Sequence, residues 1–119
     1  MTKKIDSKTW TIAEAGAALA ESGANFVTLF KQGTLEVEIY RPVGTDRQQP
    51  HKKDELYVVI NGTGTFVHGG ERTAFHEGDT LFVRAGVPHR FEDFSPDFAT
   101  WVFFYGPEGG ELSTAKGTT

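Results

Sequence analysis

Between Leu35 and Tyr40 the chain alternates strictly: Leu35, Val37 and Ile39 fall on one side, Glu36, Glu38 and Tyr40 on the other. A period of two is that of a β-strand. With Asn25 to Lys31 and the turn Gln32-Gly33-Thr34, it predicts a hairpin over 25–31 and 35–42 whose largely polar face belongs at an edge or an interface. Ahead of the hairpin, Thr11 followed by Glu14 has the form of a capping box, and the alanine-rich stretch from Ile12 ends at Ser22-Gly23. This predicts one short helix, about 12–22. After the hairpin, short strands recur between turn signals at Asn61-Gly62, His68-Gly69-Gly70, Glu77-Gly78-Asp79 and Ala85-Gly86. That rhythm suggests an all-β sandwich or barrel.

Near the end, Trp101, Phe103 and Tyr105 share one strand face and Val102 and Phe104 the other. A strand apolar on both sides needs cover on both, so we expect core on one side and a helix or a second subunit on the other. With the polar hairpin, this favours a homodimer. The expected organisation is a single domain over 1–119, with a core barrel at about 25–106 and a loose tail at about 108–119.

A length of 119 residues and 38% hydrophobic content suit one core. The net charge of −4, with scattered basic residues, excludes the electrostatic footprint of a nucleic-acid binder. Without cysteine there is no disulfide, thiolate nucleophile or thiolate-held zinc. The apolar runs LYVVI and WVFFY are too short to span a bilayer and the first residues lack an apolar signal core, so a soluble cytoplasmic protein with a small-molecule partner is expected.

The candidate chemistry lies in PHKKDELYVVINGTG and EGDTLFVRAGVPHRFED. His51, Glu55 and His89 are two imidazoles and a carboxylate, donors suited to a divalent transition metal. Gln49 lies two residues before His51, so on an extended strand both would face one cavity. Glu55 would open the next strand on the side of Tyr57 and Val59, while His89 must be delivered by closure of the barrel.

These residues resemble the cupin superfamily, whose motifs read G-x5-H-x-H-x3or4-E-x6-G and G-x5-P-x-G-x2-H-x3-N. Gln49, His51, Glu55 and Gly62 carry the first, with the leading glycine displaced by one at Gly44; Gly78, Gly86 and His89 carry the second. Arg84 stands where the family has proline, Asp93 where it has asparagine, and Gln49 where it has its first ligand histidine. The motifs span Gly44 to Asp93, about two-fifths of the chain. The resemblance implies a double-stranded β-helix, or jelly-roll barrel, holding a divalent metal such as iron, manganese, nickel or zinc near its centre. Gln49 offers only a neutral amide oxygen, so it is a candidate fourth ligand or leaves that place to water.

Further candidates are Tyr57, whose phenol could act as an acid in the cavity, and Arg84, which on an inward face would bind a substrate carboxylate or pair with Glu92 or Asp93. His68 and His76 are expected to be solvated. The leading reading is a metal-binding cupin acting on or binding a small molecule by oxygenase, lyase or isomerase chemistry. Two others stay open: a non-catalytic ligand-binding or sensing cupin with a weakened metal site, and a metal-free epimerase-like cupin using His51 as base and Tyr57 as acid.

Overall fold

The computed structural model describes residues 8–112. Helix α1 (Ile12–Ser22) begins at the predicted capping box: the Thr11 side chain accepts from the Glu14 N–H at 3.0 Å and the Glu14 carboxylate from the Thr11 N–H at 2.9 Å. It ends at Gly23, in the left-handed conformation with φ 68°. Eight strands follow: β1 (Phe26–Gln32), β2 (Leu35–Tyr40), β3 (Asp54–Asn61), β4 (Gly64–His68), β5 (Glu71–Phe75), β6 (Thr80–Val83), β7 (His89–Glu92) and β8 (Ala99–Tyr105). They form two antiparallel sheets, ordered β1-β2-β8-β3-β6 and β5-β4-β7. Among the described residues no helix is long and apolar enough to cross a membrane.

Strand alternation divides the apolar residues between two cores. Tyr57, Val59, Phe66, Phe75, Val83, Phe91, Phe98, Val102 and Phe104 form one cluster, drawing on both sheets. On the opposite face of the larger sheet, Ile39, Ile60, Ala99 and Trp101 pack with Ala15 and Leu19 of α1. The helix therefore covers the second face of β8 at Trp101. Glu36, Glu38 and Tyr40 on the polar face of β2 line a cavity, while β1 of the same hairpin lies at the edge of the larger sheet, as expected.

Gly62 links the sheets at a point no other residue suits. Its φ is 100°, and an added Cβ would lie 2.6 Å from the Phe98 Cα. Asp93 has φ 51°, a left-handed conformation that Asp and Asn tolerate better than most residues, which fits an Asp/Asn exchange there. The segment after Pro107, expected to be loose, is tied to the barrel as far as Glu111: Gly109 N–H donates to Lys52 O at 2.7 Å and Glu111 N–H to Asp54 Oδ2 at 2.8 Å. The remainder of that tail, 113–119, lies outside the described residues.

Candidate metal centre and its cavity

Register brings the three predicted donors together. On β3 the inward positions are Glu55, Tyr57 and Val59, and β8 sets Phe104 opposite Glu55 and Val102 opposite Tyr57. His89 opens β7, two residues before inward-facing Phe91. His51 comes from the irregular segment before β3, fixed by the Gly86 N–H donating to its carbonyl at 2.7 Å and by an edge-to-face contact with Phe104. Buried Asp54 joins the neighbouring segments, since Oδ1 accepts from Ala85 N–H at 3.0 Å while Oδ2 holds Glu111. One carboxylate thus ties the start of β3 to the turn that delivers His89.

His51, Glu55 and His89 each offer one ligand atom, and these atoms lie within 4.8 Å of one another. His89 Nδ1 donates to Val87 O at 2.8 Å, which in the neutral ring turns the Nε2 lone pair toward Glu55 Oε1 at 3.0 Å. Glu55 is 1% exposed, and its fully buried Oε1 has no hydrogen-bond donor while the His89 ring is neutral. Two lone pairs cannot face each other at that distance unless a proton or a cation sits between them. His51 Nε2 stands 3.7 Å from the same oxygen. The donors fit a divalent transition metal, with His51 and His89 as imidazole ligands and Glu55 as the carboxylate.

The two imidazoles titrate differently. For His51, burial outweighs the attraction of Glu55 and lowers the pKa below 6.5. For His89, burial also opposes charge, but hydrogen bonds to Glu55 and Val87 outweigh it and raise the pKa above 6.5. A proton and a metal would compete for the space between His89 and Glu55.

Behind the donors runs a buried polar chain that the sequence did not reveal. Asp46, 5% exposed, accepts from the Tyr40 hydroxyl at 2.5 Å, from Gln48 N–H and Nε2 at 3.2 and 2.7 Å, and from Phe91 N–H at 2.8 Å. With its amide nitrogen on Asp46, Gln48 presents Oε1 to the Tyr57 hydroxyl, 2.9 Å away. That hydroxyl lies 3.1 Å from His89 Nε2. Tyr57 is wholly buried and its pKa stands well above 10, first through burial and then through the negative charge of Glu55.

Two expected side chains lie elsewhere. Gln49 is exposed, and Gln48 takes the place beside the cavity. The reason is local: residues 46–51, with Pro50 among them, are not a strand, so the alternation that put Gln49 beside His51 does not hold. Arg84 is also exposed, in a groove outside the barrel with Phe82, because β6 turns Val83 inward and leaves Phe82 half exposed. Glu92 pairs instead with Arg72 and Arg90, at 2.7 and 2.5 Å, and Asp93 lies 3.8 Å from Arg72. His76 is exposed, whereas His68 is partly buried and stacks on Phe66.

A cavity of about 510 Å³ opens beside the centre, lined by His51 and Glu55, by Glu36, Glu38 and Tyr40 of β2, by Phe26, Val102 and Phe104, and by Gln48, Lys52, Lys53 and Glu108. Its size suits a small organic molecule. The signal for its acidic wall was present in the sequence as the Glu36, Glu38, Tyr40 face.

Comparison with known proteins agrees with this architecture. The chain is 32% identical to an uncharacterized protein of Streptomyces coelicolor over 103 residues, which are 85% of this chain and 98% of the relative. Among solved structures it is similar to a Cupin 2 conserved barrel domain protein from Salinispora arenicola (TM-score 0.56, 19% identity, 68% of this chain and 74% of that one). It is also similar to the DMSP lyase DddQ from Ruegeria pomeroyi (TM-score 0.59, 23% identity, 76% of this chain and 48% of that one). The Cupin_2 family, described as "Cupin domain", matches residues 36–105, so this chain belongs to the cupin family.

Proposed function

We propose that this cupin binds one divalent transition metal through His51, Glu55 and His89 and acts on a small molecule held in the adjoining cavity. The observation that carries this reading is the buried Glu55 Oε1 facing His89 Nε2 at 3.0 Å, a pair that lacks a proton between them whenever the His89 ring is neutral. In such a site a metal supplies Lewis acidity, polarising an oxygen of the bound molecule.

The chain's own groups then have separable tasks. Val87 O holds the His89 ring in the ligating tautomer. Tyr57 gives its hydroxyl proton to Gln48, which fixes its ring beside His89 as a support for the centre, and this reading gives it no acid role. Gln49 and Arg84 have no place in this reading, whereas Gln48 does. Of the chemistries open to such a centre, lyase chemistry is the one named for a structural neighbour, DddQ.

Metal analysis of purified protein after loading with zinc, manganese, nickel or iron tests the reading. About one metal per chain is expected for the wild type and near none for His51→Ala and His89→Ala, with all three still folded. Substoichiometric metal in the wild type under every loading condition overturns it.

A further inference from the structure

Three polar side chains of β2 face the cavity, and two of them are matched within the protein. Glu36 lies 3.5 Å from Lys31 and 3.3 Å from Lys53. The Tyr40 hydroxyl is taken up by Asp46. Glu38, between them, accepts a hydrogen bond from the Thr28 hydroxyl through Oε2 at 3.1 Å, and among the described residues no cation lies within ion-pair distance. It is partly buried, and desolvation raises its carboxyl pKa above 4.5. Thr28 and Lys31 face it from β1, Glu36 from its own strand and Glu55 from across the sheet. A carboxylate withdrawn from water without a cation is costly to hold, and a ligand that donates to it recovers that cost.

Its position relative to the metal donors is fixed by register. Val102 of β8 lies opposite both Glu38 and Tyr57, just as Phe104 lies opposite both Glu36 and Glu55. Glu38 is therefore two strands from the ligand-bearing strand, about 10 Å at the usual strand spacing, before either side chain reaches inward. Glu38 is in register with Tyr57, one inward position along from Glu55, so a short chain would reach from one to the other. We propose that Glu38 is the second recognition group of this cavity, its carboxylate accepting a hydrogen bond from an N–H or O–H donor at the end of the substrate remote from His51, Glu55 and His89. This assignment rests on the metal reading above, since that centre takes the other, oxygen-bearing end. The substrate class is a short chain with an oxygen donor for the metal at one end and an ammonium or hydroxyl group at the other.

Calorimetric titration of the zinc-loaded full chain with 4-aminobutyrate, 4-hydroxybutyrate and butyrate tests it, with metal content measured on every sample. The wild type should bind at least one donor-bearing probe tenfold or more tighter than butyrate, and Glu38→Ala should bind all three alike while keeping its metal. Glu38→Gln separates the two sources: it should lose the preference for the amine but retain part of a preference for the alcohol. If the metal-replete wild type treats the three probes alike, or binds none, or if Glu38→Ala keeps the preference, the role of Glu38 is overturned and the metal reading stands. If the wild type takes up no metal, both fall together.

Discussion

The two ends of the barrel interior are built from the same strands to opposite purposes. Toward one end the inward positions are Val59 on β3 and Phe91 on β7, closed by Phe66, Phe75 and Phe98 with ring centroids 4.7–5.5 Å apart. Two to four residues along the same strands, on the same face, stand Tyr57 and Glu55, and His89. The pleat does not distinguish the ends; side-chain chemistry does. An aromatic plug can hold the barrel shut at one end, and that allows polar groups unfavourable for folding to be gathered at the other.

The difference is broken most severely at the plug. Phe75 is 0% exposed, and Phe75→Ala should cost about 3–5 kcal/mol by combined transfer and cavity terms, measured as urea unfolding of metal-free protein. A loss below about 1 kcal/mol would show that the closed end does not carry the fold. At the junction of the two ends, Asp46→Asn leaves one oxygen for four donors and turns an amide toward the others. It should cost about 2–3 kcal/mol and weaken metal binding by loosening Gln48 and Tyr57. Unchanged stability would mean that water replaces the lost acceptor.

At the open end, pH sharpens the contrast because protonation acts in opposite directions with and without metal. Binding needs both imidazoles deprotonated, and His89, with its raised pKa, takes up a proton before His51 as pH falls. Metal affinity should decline as pH falls through the raised His89 value, above 6.5. Without metal, folding raises the His89 pKa, so its contribution to stability is fully present below 6.5 and lost as pH rises through the raised value. Equilibrium dialysis and urea unfolding across pH 5–8 should therefore show opposite slopes; parallel slopes would exclude His89 as the controlling group. The smallest effect is expected at Gln49→Ala, which should change metal affinity less than threefold, whereas Gln48→Ala should lower it about tenfold. A reversed order in the same dialysis would restore Gln49 to the site.

What could be read from the sequence followed from regular local structure. The helix was legible because Thr11, Glu14 and Gly23 act within one turn of its ends, and the strands because turn residues separate them. His51, Glu55 and His89 stood out through their gaps, which do not depend on which face a strand presents. The role of Arg84 did depend on the face: its strand could turn either Phe82 and Arg84 or Val83 inward, and packing shows that it is Val83. The polar face of β2 was visible but ambiguous, since solvent, an interface and a wet cavity all tolerate Glu36 and Glu38. Asp46 gave no signal at all. Its burial depends on the Phe91 amide, 45 residues further on.

The stitches around His51 bear on motion. Gly86 N–H holds the His51 carbonyl, Gly109 N–H the next carbonyl, at Lys52, and Glu111 N–H the carboxylate of Asp54. Three amides from two distant parts of the chain are thus bonded to the segment that carries a metal donor. Their exchange with deuterium would act as a clock for the centre, and metal binding should slow all three together.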